Sequence, residues 1–152
     1  MRSRNDRQDA IREIIRSQQI RTQRDLVNAL KQVGFACTQA TVSRDITDMG
    51  LRKLPEGTYA LAEDMYMQRM VSELVTDVTC ANNLVVVRTG AGTANGVASS
   101  MDEAGLPEVL GTIAGDDTIL VICKDEETAR SFEASINRLR TYHRCGDRKS
   151  VV

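Results

Sequence analysis

Residues 111 to 122 read GTIAGDDTILVI, an apolar run into a tight Gly115-Asp116-Asp117 turn and then a β-branched strand with two adjacent carboxylates at its mouth. Neighbouring carboxylates repel each other and desolvate poorly. A fold that fixes both on a hairpin tip beside a buried strand therefore suits a bound cation, either a metal or an arginine-like group. The alternative is a solvated Asp-rich turn. A second candidate is Gly90-Ala91-Gly92-Thr93-Ala94-Asn95-Gly96, which lies between an expected strand and an expected helix, where a phosphate-binding loop would sit. It lacks the Lys-Ser/Thr of a Walker A loop, and its GxGxxxG spacing is one residue off the dinucleotide fingerprint. A tight turn with a helix N-cap is the better reading. The third candidate is the segment TQATVSRDI, Thr38 to Ile46, in which Ala40, Thr41, Ser43, Arg44 and Thr47 share the face opposite an apolar stripe. Short hydroxyls around one Arg suit entry into a DNA major groove, where Arg pairs with guanine and hydroxyls reach phosphates or bases. The same segment in a small helical module could dock protein instead.

The elements that must position these groups follow from periodicity. Ile11, Ile14 and Ile15 mark the inner stripe of a first helix, and Thr22 with Asp25 forms a capping box that opens a second, with Leu26, Ala29, Leu30 and Val33 inward and Gly34 ending it. Thr38 caps a third helix with Val42, Ile46 and Met49 as its core stripe and Gly50 as its stop; Asp45 and Asp48 lie beside its polar face. Leu51 to Leu54 and Thr58 to Leu61 flank a Pro55-Glu56-Gly57 turn, a β-hairpin wing, so residues 1–62 have winged helix-turn-helix order. Residues 63–70 show no strong core period and read as a linker or short helix.

The remainder, 71–140, reads as strand (Glu73 to Thr79), strand (Leu84 to Thr89), helix (Thr93 to Ala104), strand (Val109 to Ala114), strand (Thr118 to Cys123) and helix (Glu126 to Leu139). This ββαββα order is an α/β sandwich of one sheet and two helices, which gives an α+β chain overall. Two helices cover one face of such a sheet. The continuous apolar runs Leu84 to Val87 and Ile119 to Ile122 imply burial on both faces, so the second face is expected to meet another subunit. The tail, 141–152, has the composition of a flexible extension.

Charge separates the two halves. Met1 to Leu54 holds 11 Lys and Arg against 6 Asp and Glu, while Pro55 to Val152 holds 9 against 15. The basic half suits a phosphate backbone and the acidic half a cationic ligand. Aromatic residues are 3% of the chain, too few for stacking platforms that grip single-stranded nucleic acid. Cys37, Cys80, Cys123 and Cys145 are scattered, fit neither a zinc pattern nor a disulfide framework, and read as reduced thiols. His143 is the only histidine, which argues against a His-based triad or zinc site. No apolar stretch approaches 18 residues, so a soluble cytoplasmic protein with no membrane contact is expected. An enzyme or nucleotide-binding protein with Mg²⁺ on Asp116 and Asp117 is the rival class, but no nucleophile-base pair or phosphate-clamping Lys accompanies the loop.

TQATVSRDI, GTANGVASSMDEAG and GTIAGDDTILVI together resemble the bacterial arginine repressor family, over about residues 6 to 140. The resemblance implies a non-enzymatic transcription factor whose C-terminal domains trimerise. Its trimers pair as a hexamer, and it binds double-stranded palindromic operators with L-arginine as effector. Matched by motif, Gln39, Thr41, Ser43 and Arg44 fall on DNA-contacting positions, and Asn95, Asp102, Thr112, Ala114, Asp116 and Asp117 fall on the L-arginine site. In the family the paired aspartates face the guanidinium across the trimer-trimer interface, and the other positions hold the amino-acid end. Where many members have Pro-Gly-x-Ala-Gln, this chain has Ala91-Gly92-Thr93-Ala94-Asn95. The side chain at 95 is one methylene shorter, and is expected to reach the ligand through water.

Overall fold

The computed structural model describes residues 3–149, with side chains through residue 140, and the chain divides into two compact units, Met1–Met65 and Tyr66–Val152. In the first unit, α1 (Arg4–Ser17) opens on Ser3 and α2 (Gln23–Gln32) on Thr22. Each start is a capping box, in which the hydroxyl accepts the third residue's N–H and that residue's carboxylate accepts the cap's own N–H. Thr38 caps α3 (Gln39–Asp48) by accepting the Thr41 N–H at 3.3 Å. The wing is β1 (Leu51–Lys53) paired antiparallel with β2 (Tyr59–Leu61), Leu51 opposite Leu61. Ile11, Ile14, Leu26, Leu30, Val42, Ile46, Leu51 and Leu61 close one core that holds all three helices and the wing together.

The segment 63–70, read from sequence as a linker or short helix, lies within α4 (Ala62–Leu74). Its apolar stripe is Met67, Met70, Val71 and Leu74, spaced three, one and three. Half of that stripe lies beyond residue 70, which is why a window ending there shows no period. The next strand consequently starts later than the sequence suggests, at Val75, and runs to Ala81.

The second unit is a four-stranded antiparallel sheet in the order β3 (Val75–Ala81), β4 (Leu84–Thr89), β6 (Thr118–Cys123), β5 (Val109–Ala114). Between the hairpins lies α5 (Ala94–Ala104), which ends at Gly105 in the left-handed conformation, φ +60°. The last helix, α6, spans Glu126–Lys149. It therefore continues through residues 141–149 of the segment expected to be a flexible tail; residues 150–152 of that expectation lie outside the described residues. Val85, Val87, Ile119, Val121 and Cys123 alternate inward to pack with Val97, Met101, Ala129, Phe132 and Ile136 of α5 and α6. The intervening Leu84, Val86, Leu120 and Ile122 are only half-buried, and on the edge strand Leu110 and Ile113 are exposed. Within one chain the second sheet face is thus apolar and open.

Candidate functional site

The acidic turn is held from three sides. Gly115 N–H donates to Thr118 C=O at 2.9 Å, Thr89 N–H to Asp117 C=O at 2.7 Å, and Ala94 N–H, in the first turn of α5, to Asp116 C=O at 3.2 Å. The last of these brings the turn against the N-terminus of α5, where the helix dipole favours negative charge. The Asp116 side chain is exposed; Asp117 is half-buried and accepts Thr118 Oγ1 at 2.9 Å. The turn is therefore fixed through its main chain, and the Asp117 carboxylate is oriented by the Thr118 hydroxyl.

The other ligand-site candidates line the margin between α5 and the edge strand β5. Asn95 is exposed at the start of α5, and Asp102 lies two turns further along, about 10 Å by helical rise. Asp102 accepts the Thr112 hydroxyl of β5 at 2.9 and 3.1 Å, one contact to each carboxylate oxygen. Ala114 ends β5 just before the turn. The six residues thus form a row, with Asn95, Ala114, Asp116 and Asp117 at one end and the Asp102–Thr112 pair at the other. Gly96 packs close to α4, since a Cβ there would meet Met70 Cε at 3.2 Å. Sequence reasoning missed Arg88, whose Nη2 lies 3.9 Å from Asp117 Oδ2. It stands opposite Thr118 across the β4–β6 register, a proximity visible only once that register is known. Both partners are about half exposed, so the pair is weak, at most about 1 kcal/mol.

Three amides of the Gly90–Gly96 loop serve the fold. Gly90 N–H donates to Leu74 C=O, Thr93 N–H to Gly90 C=O and Ala94 N–H to Asp116 C=O. A phosphate in that place would compete for these donors and meet the aspartates.

In the first unit, α3 turns Val42 and Ile46 into the core and leaves Gln39, Ala40, Arg44 and Thr47 exposed. Ser43 is half-buried. Thr41 is half-buried too, with its hydroxyl 3.0 Å from that of Thr38, so part of its hydrogen-bonding capacity serves the cap. Asp45 is buried and held by Arg7 of α1, and Asp48 pairs with Arg4. Neither carboxylate is left unpaired beside the polar face. The hydrogen bond to Asp45 holds the Arg7 guanidinium above its ordinary pKa, and burial raises that of the Cys37 thiol. Exposed Arg52 and Lys53 on the wing add positive charge that a motif search centred on α3 passes over; Lys53 Nζ stacks 5.3 Å from the Tyr59 ring centroid.

Comparison with known proteins covers both units. The family model "Arginine repressor, DNA binding domain" matches residues 2–66, and "Arginine repressor, C-terminal domain" matches residues 71–138. Among curated relatives, an arginine repressor of Carboxydothermus hydrogenoformans is 42% identical over 146 residues, covering 89% of this chain and 97% of that protein. The arginine repressor of Pelotomaculum thermopropionicum is 45% identical over 134 residues, 81% of this chain and 89% of its own. That of Thermus thermophilus is 42% identical over 144 residues, 88% of each. With each unit matched by one of the two domains of a single family, and with these relatives aligned across both, the chain belongs to the arginine repressor family.

Proposed function

We propose that the chain is an L-arginine-dependent transcriptional regulator that binds palindromic operators of arginine biosynthesis or catabolism genes as a hexamer of two trimers. The observation that carries the ligand half of this reading is the Asp116-Asp117 turn, fixed against the start of α5 by the Ala94 N–H with its carboxylates outward. A guanidinium can pair bidentately with a carboxylate through a planar fork, whereas an ammonium acts as a point charge. Arginine is accordingly favoured over lysine, and citrulline, which carries no charge to offset the carboxylates, is expected to fail. Asp102 with Thr112, Asn95 and the backbone near Ala114 are suited to the amino-acid end. On the DNA side, Gln39, Thr41, Ser43 and Arg44 on α3 are the proposed contacts, with Arg44 able to take guanine in the major groove.

The open apolar sheet face, with Ile113 and Leu110 exposed, supports assembly. In the proposed hexamer the acidic turns of two trimers face each other, so like charges oppose assembly until a cation relieves them. Ligand binding then reaches DNA through the assembly. Couplings of this kind are typically about 1–3 kcal/mol, or roughly 5- to 150-fold in affinity.

A DNase footprint over the arginine-gene promoters of the chain's own genome, with and without L-arginine, tests the function. Protection strengthened by arginine is expected; no protection in either condition, or the same protection in both, overturns it. Calorimetry with arginine, ornithine, agmatine, lysine, citrulline and MgATP tests the ligand. A tighter fit for ornithine or agmatine would make this a sensor of a different cationic metabolite, and MgATP binding would return the Gly90–Gly96 loop to consideration.

A further inference from the structure

Among the described residues Asp45 is the one fully buried charge, at 1% exposure, and it is carried by α3 immediately after Arg44. A buried carboxylate is costly unless paired and hydrogen-bonded. Its partners come from α1. Arg7 Nε donates to Oδ2 at 2.5 Å, Arg7 Nη2 to Oδ1 at 3.1 Å, and Gln8 Nε2 to Oδ1 at 3.5 Å. One turn along α3, Asp48 is paired with Arg4. As a source of stability such a pair is inefficient, since apolar side chains of similar volume often serve as well or better. A bidentate fork supplies something else: it fixes direction as well as distance. Because side chains on a helix share one rigid backbone, the direction in which Asp45 is held sets the direction in which Ser43 and Arg44 are presented.

We propose that Arg7 is a positioning residue for DNA reading, holding Asp45 inward so that α3 keeps the rotation that presents its polar face. The proposal rests on α3 being the DNA-reading helix. Without Arg7 the carboxylate is left buried and unpaired, and it regains water only if α3 turns or shifts. That movement misaims Arg44 and brings negative charge towards phosphate.

The test uses the full chain with L-arginine, a duplex selected by the wild-type protein from a randomised library, and a scrambled duplex of the same length. Arg7→Met is expected to weaken the selected duplex about tenfold or more and the scrambled one much less, because base contacts depend on aim more than phosphate contacts do. Arg7→Lys, which keeps the charge and loses the fork, should show a several-fold loss of discrimination. The decisive variant is Arg7→Met combined with Asp45→Leu, which replaces the pair with apolar side chains and should recover affinity for the selected duplex to within about threefold. A direct phosphate contact by Arg7 predicts no recovery and a salt slope lower by about one charge; that result overturns the proposal. So does wild-type discrimination in Arg7→Lys, which still decides the matter if Arg7→Met fails to fold. A wild-type protein that selects no duplex would instead remove the DNA-reading function itself.

Discussion

Arg44 and Asp45 are neighbours in sequence with opposite fates: the guanidinium is exposed and the carboxylate is buried against Arg7. The exposed member is the one free to meet DNA. Arg44→Ala is expected to lower operator affinity by about 1–3 kcal/mol, the scale of one bidentate base contact, while oligomer mass and arginine binding stay unchanged. Gel-shift titration checks this, and wild-type affinity in the variant would take Arg44 off the reading face. In the second unit, Asp117 is the half-buried member of the acidic pair, oriented by Thr118. Asp117→Asn keeps the shape and removes the charge, so L-arginine binding should weaken by roughly 1.5–3 kcal/mol, the range for hydrogen bonds to charged groups. Calorimetry showing unchanged affinity would reduce the pair to an ordinary turn. Asp116 and Asp117 could be singled out from sequence because they are adjacent. Asp102 and Thr112 are ten residues apart on different elements; family resemblance marked both as site positions, but their hydrogen bond needed the fold. Arg88 needed the strand register and was invisible without it.

At the scale of elements, legibility followed how local the determining signal is. Helix starts were readable because a capping box lies within four residues: Thr22 with Asp25 behaves in the structure as its spacing predicts. The strands β4, β5 and β6 were readable from short β-branched runs bounded by turns, and they have the expected limits. The α4 stripe was missed because Val71 and Leu74 lie beyond the segment 63–70, so that segment alone shows no full helical period. The start of α6 carries its own testable cap. Asp125 Oδ1 accepts the Thr128 N–H at 2.8 Å, and Thr128 Oγ1 accepts the Asp125 N–H at 3.1 Å. Hydrogen bonds from Thr128, backbone first and side chain second, hold the Asp125 pKa below its ordinary value of 3.8. A carboxylate depressed by folding stabilises the fold above that ordinary value and stops doing so as pH falls through the folded value. Asp125→Asn should therefore lower the thermal midpoint at pH 7, with the gap to wild type closing as pH drops below about 4. Thermal melts across that range check the sign. A gap that persists unchanged into stronger acid would mean that charge at this cap is not what stabilises it.

The whole molecule joins a basic unit to an acidic one, and the acidic one leaves an apolar sheet face and a carboxylate turn exposed in the single chain. These two features act oppositely on assembly. Burial of the apolar face favours self-association, whereas carboxylates gathered from several copies oppose it. In the proposed hexamer the ligand acts on that balance. The chain without ligand should accordingly be partly trimeric at low micromolar concentration, and L-arginine should drive it to hexamer by mass action, with lysine less effective. Replacing Asp116 and Asp117 together with Asn removes both the repulsion and the partner of the guanidinium. That variant should settle into an oligomeric state indifferent to arginine, whichever state it is, because the term that ligand adds and the term it offsets have gone together. Sedimentation velocity with and without arginine reads the outcome directly. A double variant whose trimer-hexamer balance still shifts with arginine as wild type does would place the cation sensor elsewhere on the chain, and Asp102 with Thr112 would be the next place to look.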